Sequence, residues 1–252
     1  MRAHWLCRGV VIVAVLLIAG GTMSLAADVP TVAGPGGGGP GVIPSPEFAV
    51  LWDQPLSAVN TAAWANQEFG DFPTYSCFVA DDFVVPAAGW SVEAIYVPNG
   101  AWNGATTISA ASMLHFEVYA NAAGIPAGYP GGTAPVWSLA VLPTDPQITL
   151  SVGSGGFTTD VLVTLTTPFD LAEGTYWLVF YPTADFATIG QFGRQASDTT
   201  NGLSTQWINP GGGFGYGTAW QSWSILGATA QDAAFRIEGD IIPVTLQSFD
   251  IE

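Results

Sequence analysis

The sequence predicts an all-β protein, a two-sheet antiparallel β-sandwich of jelly-roll type. Three observations carry this expectation. Short runs rich in β-branched and aromatic residues follow one another from Phe48 to Gly239, and several alternate apolar with polar side chains, the period of a half-buried strand. With 31 glycines and 18 prolines against a 49% hydrophobic fraction, the chain can fill a sizeable core and interrupt it often with turns. No amphipathic run is long enough for a stable helix, and no repeat of roughly 20 to 50 residues points to a propeller or solenoid.

Residues 1–26 read as a secretory signal. Arg2 and Arg8 flank the start, "VVIVAVLLIAGG" follows as an apolar segment short for a bilayer span, and the small residues Ser24 to Ala26 offer a cleavage site. Removal after Ala26 is expected, with an uncleaved anchor as the alternative. Cys7 precedes the apolar run, whereas a lipid-bearing cysteine would follow it. Residues 27–46, dominated by "GPGGGGPGVIPSP", cannot bury a continuous face and read as a flexible linker. The folded domain is expected over 47–240 and a tail over 241–252.

Within the domain, "DDFVVP" is a strand ended by Pro86, and Trp90 starts the next one after the "AAG" turn. That strand, "WSVEAIYV" (90–97), runs into the turn signal "PNG". "MLHFEVYA" (113–120) sets Leu114, Phe116 and Val118 on one face and His115, Glu117 and Tyr119 on the other. "FTTDVLVTLT" (157–166) groups Val161, Val163 and Leu165 against Asp160, Thr164 and Thr166. "GTYWLVFYP" (174–182) is apolar on both faces, as in a central strand covered on each side. "AAFRIEG" alternates Phe235 and Ile237 with Arg236 and Glu238, and the total comes to roughly nine to eleven strands.

"ADDFVVPAAGWSVEAIYVPNG", with "GTYWLVFYPTADFATIGQFGRQ" and "GFGYGTAWQSWSILGATAQDAAFRIEG", resembles a family of secreted bacterial β-sandwich modules, uncharacterised surface proteins. The resemblance spans residues 47 to 252 and implies the sandwich fold and an extracellular setting. It carries over no reaction and no catalytic residues. "IPVTLQSFDIE" is similar to the segment that leads into a C-terminal sorting or anchoring signal in such proteins. Here the sequence stops at Glu252, so either release or a truncated chain is expected.

Composition narrows the partners. Four basic residues face 20 acidic ones, and removal of the leader leaves only Arg194 and Arg236. Such a surface repels phosphates and anionic lipids, so nucleic acid and membrane are poor partners, while cations and neutral polymers remain admissible. Salt adaptation is a second reading of the same acidity. Cys77 loses its only possible partner with Cys7, which excludes an internal disulfide and a cysteine zinc site; a buried, inert thiol is expected. His115 is the one histidine after the leader.

Three functional readings follow. The first is a non-enzymatic structural or adhesive surface module, acting on surface proteins or polysaccharide. The second is a carbohydrate-binding jelly roll. All tryptophans but Trp5 follow the leader; Trp90, Trp137 and Trp177 suit core strands, whereas Trp102, Trp207, Tyr216, Trp220 and Trp223 fall in loop-like, glycine-rich sequence. Exposed rings beside amides would stack on a sugar, although the same rings could fold back and cap the sandwich. A calcium ion could accompany either reading through Asp71, Asp81 and Asp82. Adjacent strand residues point to opposite faces, however, and calcium takes about six to eight oxygens, so the bland alternative is a solvated acidic edge. The third reading is a glycan hydrolase, for which Glu117 beside His115 and Tyr119 is the most enzyme-like group. No "GxSxG" elbow or "HExxH" pair is present, and no enzymatic activity is expected.

Overall fold

The computed structural model describes residues 28–36 and 43–242; the expected leader, residues 37–42 and most of the tail lie outside them. In chain order the strands are β1 (Ala33–Pro35), β2 (Val50–Gln54), β3 (Ala62–Ala65), β4 (Phe78–Val85), β5 (Trp90–Val97), β6 (Asn99–Trp102), β7 (Met113–Ala122) and β8 (Ile125–Pro126). They continue with β9 (Trp137–Val141), β10 (Ile148–Val152), β11 (Thr158–Leu171), β12 (Gly174–Thr183), β13 (Gln191–Gln195), β14 (Gln206–Ile208), β15 (Gln221–Ser222) and β16 (Phe235–Ile241). One short helix, α1 (Phe186–Ile189), lies between β12 and β13.

The protein is an all-β sandwich. A five-stranded sheet, β10-β11-β5-β16-β2, faces a seven-stranded one in which β15-β14-β4-β12-β7 leads to β8 and β9. Every pairing between these strands is antiparallel. The first and last strands of the five-stranded sheet in sequence, β2 and β16, are paired, and the chain repeatedly crosses between sheets, as jelly-roll connectivity requires. Between the sheets Phe83, Phe116 and Phe180 meet Ile95, Val163 and Ile237, all closed to solvent. Burial of such side chains, each worth about 1.5 to 3 kcal/mol relative to exposure, drives the two sheets together.

The seven-stranded sheet is covered on its outer face as well. Phe78, Tyr119, Trp177, Tyr181 and Ile208 form a second apolar layer there, with Tyr129 and Trp220 packed over it. This is why β12 is apolar on both faces. The turn from β4 to β5 is closed by Gly89 N–H donating to Pro86 O at 2.8 Å, with Gly89 at φ 76°. Proline there ends one strand and glycine supplies the left-handed conformation that starts the next.

Two features depart from the sequence expectation. A third sheet, β1-β3-β13-β6, stands beside the sandwich and curls until its ends meet: a Cβ on Gly100 of β6 would lie 3.3 Å from Pro35 O of β1. Its first strand comes from the segment expected to be linker. The Gly-rich composition is correct, but Gly34 is there because only a residue without a side chain fits against the Trp102 ring, 2.2 Å from where a Cβ would sit. The described strands also exceed the expected number, because β8 and β15 have two residues each, β1 and β14 three, and β3 and β6 four, too short for a clear periodic signal. Among the described residues no helix is long and apolar enough to cross a membrane.

Candidate functional site

The aspartate pair of β4 is buried, not an acidic edge. Asp81 lies opposite Leu178 and Asp82 opposite Trp177, so strand alternation turns Asp81 to the inner face and Asp82 to the outer one. Asp81 Oδ2 accepts from Gln54 Nε2 at 2.9 Å and from Ala233 N–H at 2.6 Å, and its Oδ1 accepts from Asp82 N–H at 2.9 Å. Asp82 Oδ1 accepts from Leu203 N–H at 2.8 Å, while Asp232 Oδ2 accepts from Asn201 N–H at 2.5 Å. One loop thus caps both carboxylates. Gly202, at φ 73° between those donors, leaves room for Asp82: a Cβ would sit 2.4 Å from its Oδ2.

Desolvation dominates the electrostatics here. It raises the Asp81 carboxyl well above its usual range, with Asp232 and Asp82 adding like-charge repulsion. Burial also pushes Asp82 and Asp232 up to about 6. Arg194, fully buried, has its guanidinium lowered to about 10 by desolvation, with Asp81 opposing. Its Nη2 donates to Ala234 O at 2.9 Å, and Nε and Nη1 have no hydrogen-bond partner among the described residues, nor have Asp82 Oδ2 and Asp232 Oδ1. Raised acid pKa values mark functional sites as readily as structural ones. Here Asp81, Asp82, Asp232 and Arg194 are all 1% exposed or less, which closes the cluster to a polymer.

The expected calcium ligands do not converge. Asp71 lies elsewhere, accepting from Phe186 N–H and Ala187 N–H at 2.8 Å each and so capping the start of α1. Asp81 and Asp82 are spent on opposite faces of β4. Among the described residues no three His, Cys, Asp or Glu side chains are grouped to hold a metal ion.

The loop aromatics are placed differently from an exposed sugar platform. Trp207 and Trp223 are 0% exposed and Trp102 is buried. Each candidate indole N–H is satisfied internally: Trp102 by Thr31 Oγ1 at 2.8 Å, Trp207 by Ala65 O at 3.0 Å, Trp220 by Gly128 O at 2.8 Å and Trp223 by Ala230 O at 2.9 Å. Trp223 packs on Trp64 with ring centroids 4.6 Å apart, and Tyr216 meets Trp207 edge-on at 6.1 Å. Trp220 is the one tryptophan of this set that stays half-buried. The physical reason is the third sheet, whose flank against β4 and β14 needs large rings; Trp64, Phe69, Cys77 and Val79 share that core. Cys77 is fully buried, and desolvation pushes its thiol far up, out of the reactive range.

His115, Glu117 and Tyr119 do come together, on the outer face of β7. Glu117 accepts from Tyr181 Oη at 3.0 Å and from Tyr119 Oη. His115 stacks on Tyr181 with centroids 4.4 Å apart and planes within 4°. Thr183 Oγ1 donates to Glu68 Oε2 at 2.5 Å, which leaves its lone pair for His115 Nε2–H at 2.9 Å. Burial lowers the imidazole pKa despite Glu68 and Glu117. Chemically this is a neutral histidine donating toward a hydroxyl whose proton already serves Glu68. A nucleophile–base pair needs the opposite direction, with the hydroxyl proton on the imidazole.

Sequence reasoning missed Glu68, Thr183 and Tyr181 in this group, and Gln54, Arg194 and Asp232 around Asp81. Strand alternation places Tyr181 on the face of Trp177, but only register sets it opposite His115. No family model, curated protein or solved structure matches the chain.

Proposed function

We propose that this chain is an exported, non-enzymatic β-sandwich module with a structural or adhesive role outside the cell. The observation that carries the reading is the internal use of all four candidate indole N–H groups. A sugar-binding platform presents ring faces and leaves polar groups convergent around them; here Trp102, Trp207 and Trp223 fill the flank of the sandwich and Trp220 packs over its outer face. Export is supported by the arrangement of basic, apolar and small residues over 1–26, and the surface-module reading by the sequence resemblance. The acidic surface disfavours nucleic acid and anionic lipid, and surface proteins are the partners this reading expects.

The test is a depletion assay with the exported protein and a panel of insoluble polysaccharides, with and without calcium, beside whole cells of the producing organism. Retention on cells without depletion by any polysaccharide is expected. Calcium-independent depletion by one polysaccharide, lost in Trp220→Ala, would replace this reading with glycan binding through the half-buried ring.

A further inference from the structure

β1 occupies the edge of β3 in the register Ala33 to Trp64, Gly34 to Ala63 and Pro35 to Ala62. Its backbone bonding extends beyond the strand, from Ala65 N–H to Val32 O at 2.9 Å and from Gly36 N–H to Thr61 O. Just before it, Thr31 is gripped through both backbone and side chain. Thr31 N–H donates to Gln191 Oε1 at 3.0 Å, and Gln191 Nε2 donates back to Thr31 O at 2.6 Å. The Thr31 hydroxyl oxygen accepts from Trp102 Nε1 at 2.8 Å and Asn103 Nδ2 at 3.3 Å.

The groove is selective as well as adhesive. Gly34 lies flat on the Trp102 ring, and a Cβ on Gly36 would fall 2.7 Å from Thr61 O. An open cavity of about 480 Å³ continues along the same wall, lined by Thr31, Gly34, Trp102, Asn103 and Phe157 among others. Main-chain pairing for affinity, with side-chain fit at alternate positions for specificity, is how a sheet edge accepts an added strand.

The strand that fits is supplied over a tether. Every hydrogen-bond partner named above lies on β3, β6 or β13 or is the residue just before β3 or just after β6, and none lies on β2, the next strand in the chain. Between β1 and β2 stands "GGGGPGVIPSPEFA", residues 36–49. Its far end is tied to the other sheet, where Arg236 Nη2 donates to Pro44 O at 2.9 Å and Glu47 N–H to Glu238 Oε2 at 2.9 Å. The segment 28–36 carries a single charged residue, Asp28, so it adds little repulsion when it approaches an acidic protein.

We infer that this groove also accepts residues Thr31–Gly36 of a second copy, so that copies of the chain join by exchanging their N-terminal strands. Each contact above is reproduced between chains, because the incoming segment is identical. Because β1 is covalently joined to its own groove, pairing within one chain competes at an effective concentration on the order of millimolar, and exchange is populated as the local protein concentration approaches that value. A dense extracellular layer is such a setting, and for that setting alone the inference rests on the proposed function; the contacts do not depend on it.

The experiment uses two exported variants, Pro35→Cys and Ala62→Cys. Each carries one accessible cysteine, since Cys77 is buried, so neither chain can close the 35–62 link on itself. The two are mixed at about millimolar concentration, oxidised, run without reductant, and the linked peptides identified by mass spectrometry. The expected result is a 35–62 heterodimer several-fold more abundant than the dimers either variant forms alone, and its loss when Gly34→Val is added to the Pro35→Cys chain. The double variant Pro35→Cys/Ala62→Cys reports on seating. Closure within the double variant, with no excess heterodimer in the mixture, would overturn exchange; failure of the double variant to close would overturn the seating itself. Neither outcome changes polysaccharide depletion, so the two proposals fail separately.

Discussion

At Asp82 a carboxylate sits out of water with one oxygen bonded to Leu203 N–H and the other without a hydrogen-bond partner, beside Asp232. Such a group is held for packing and loop capping, not for its charge. Asp82→Asn keeps an acceptor for Leu203 and removes one of two neighbouring negative charges. It is therefore expected to raise the urea midpoint at neutral pH, with no change at low pH where the acid is already protonated. A lowered midpoint at neutral pH would show that the ionised form is needed. Part of this was readable in advance: adjacent strand residues must face opposite ways, and Asp81 and Asp82 do. Asp232 and Gln54 could not be read, because register and loop closure bring them to β4 from distant sequence. The indole partners were hidden for the same reason: Gly128, Ala65 and Ala230 offer backbone carbonyls, which any residue carries.

Among the elements, β16 shows how a two-residue period becomes structure. Phe235 and Ile237 enter the core, while Arg236 and Glu238 share the other face, Arg236 Nη2 lying 2.7 Å from Glu238 Oε1 with both side chains buried. Glu238 Oε2 also accepts from Glu47 and Phe48 N–H, fastening the segment that enters β2. Removing one partner strands a buried charge, so Glu238→Ala is expected to cost about 3 to 5 kcal/mol in urea unfolding. A loss under about 1 kcal/mol, the range of an exposed pair, would contradict this. Strands of five or more residues with clear alternation, such as β5, β7, β11 and β16, were legible. The third sheet was not, since β3, β6 and β13 are short and β1 carries glycine and proline where strand propensity is low. Its strands exist because Trp102 fills their curl, a tertiary cause that local sequence does not record.

For the whole molecule, buried acids and surface acidity act in the same direction. Asp82, Asp160 and Asp232 are raised to about 6 by burial, and Asp81 is raised too, against an ordinary value of 3.8. The folded state therefore binds protons more tightly than the unfolded chain, and stability from these groups grows as pH falls from about 6 toward about 4 and is lost on the way back up. Exposed Asp198, lowered by Ser57, opposes this weakly. Thermal unfolding is expected at a higher temperature at about pH 5 than at about pH 7.5; the reverse order would mean that the buried acids are ionised and paired. Added salt at pH 7.5 is expected to narrow the gap by screening the acidic surface.

The central claim is that Trp102, Trp207 and Trp223 belong to the interior of this fold. Urea unfolding of Trp223→Ala tests it most directly, because that ring is fully buried against Trp64 and bonded to Ala230 O. A loss of about 3 to 5 kcal/mol, the usual effect of emptying a large aromatic site, is predicted. A variant with unchanged midpoint and slope would place the ring outside the core and contradict the account.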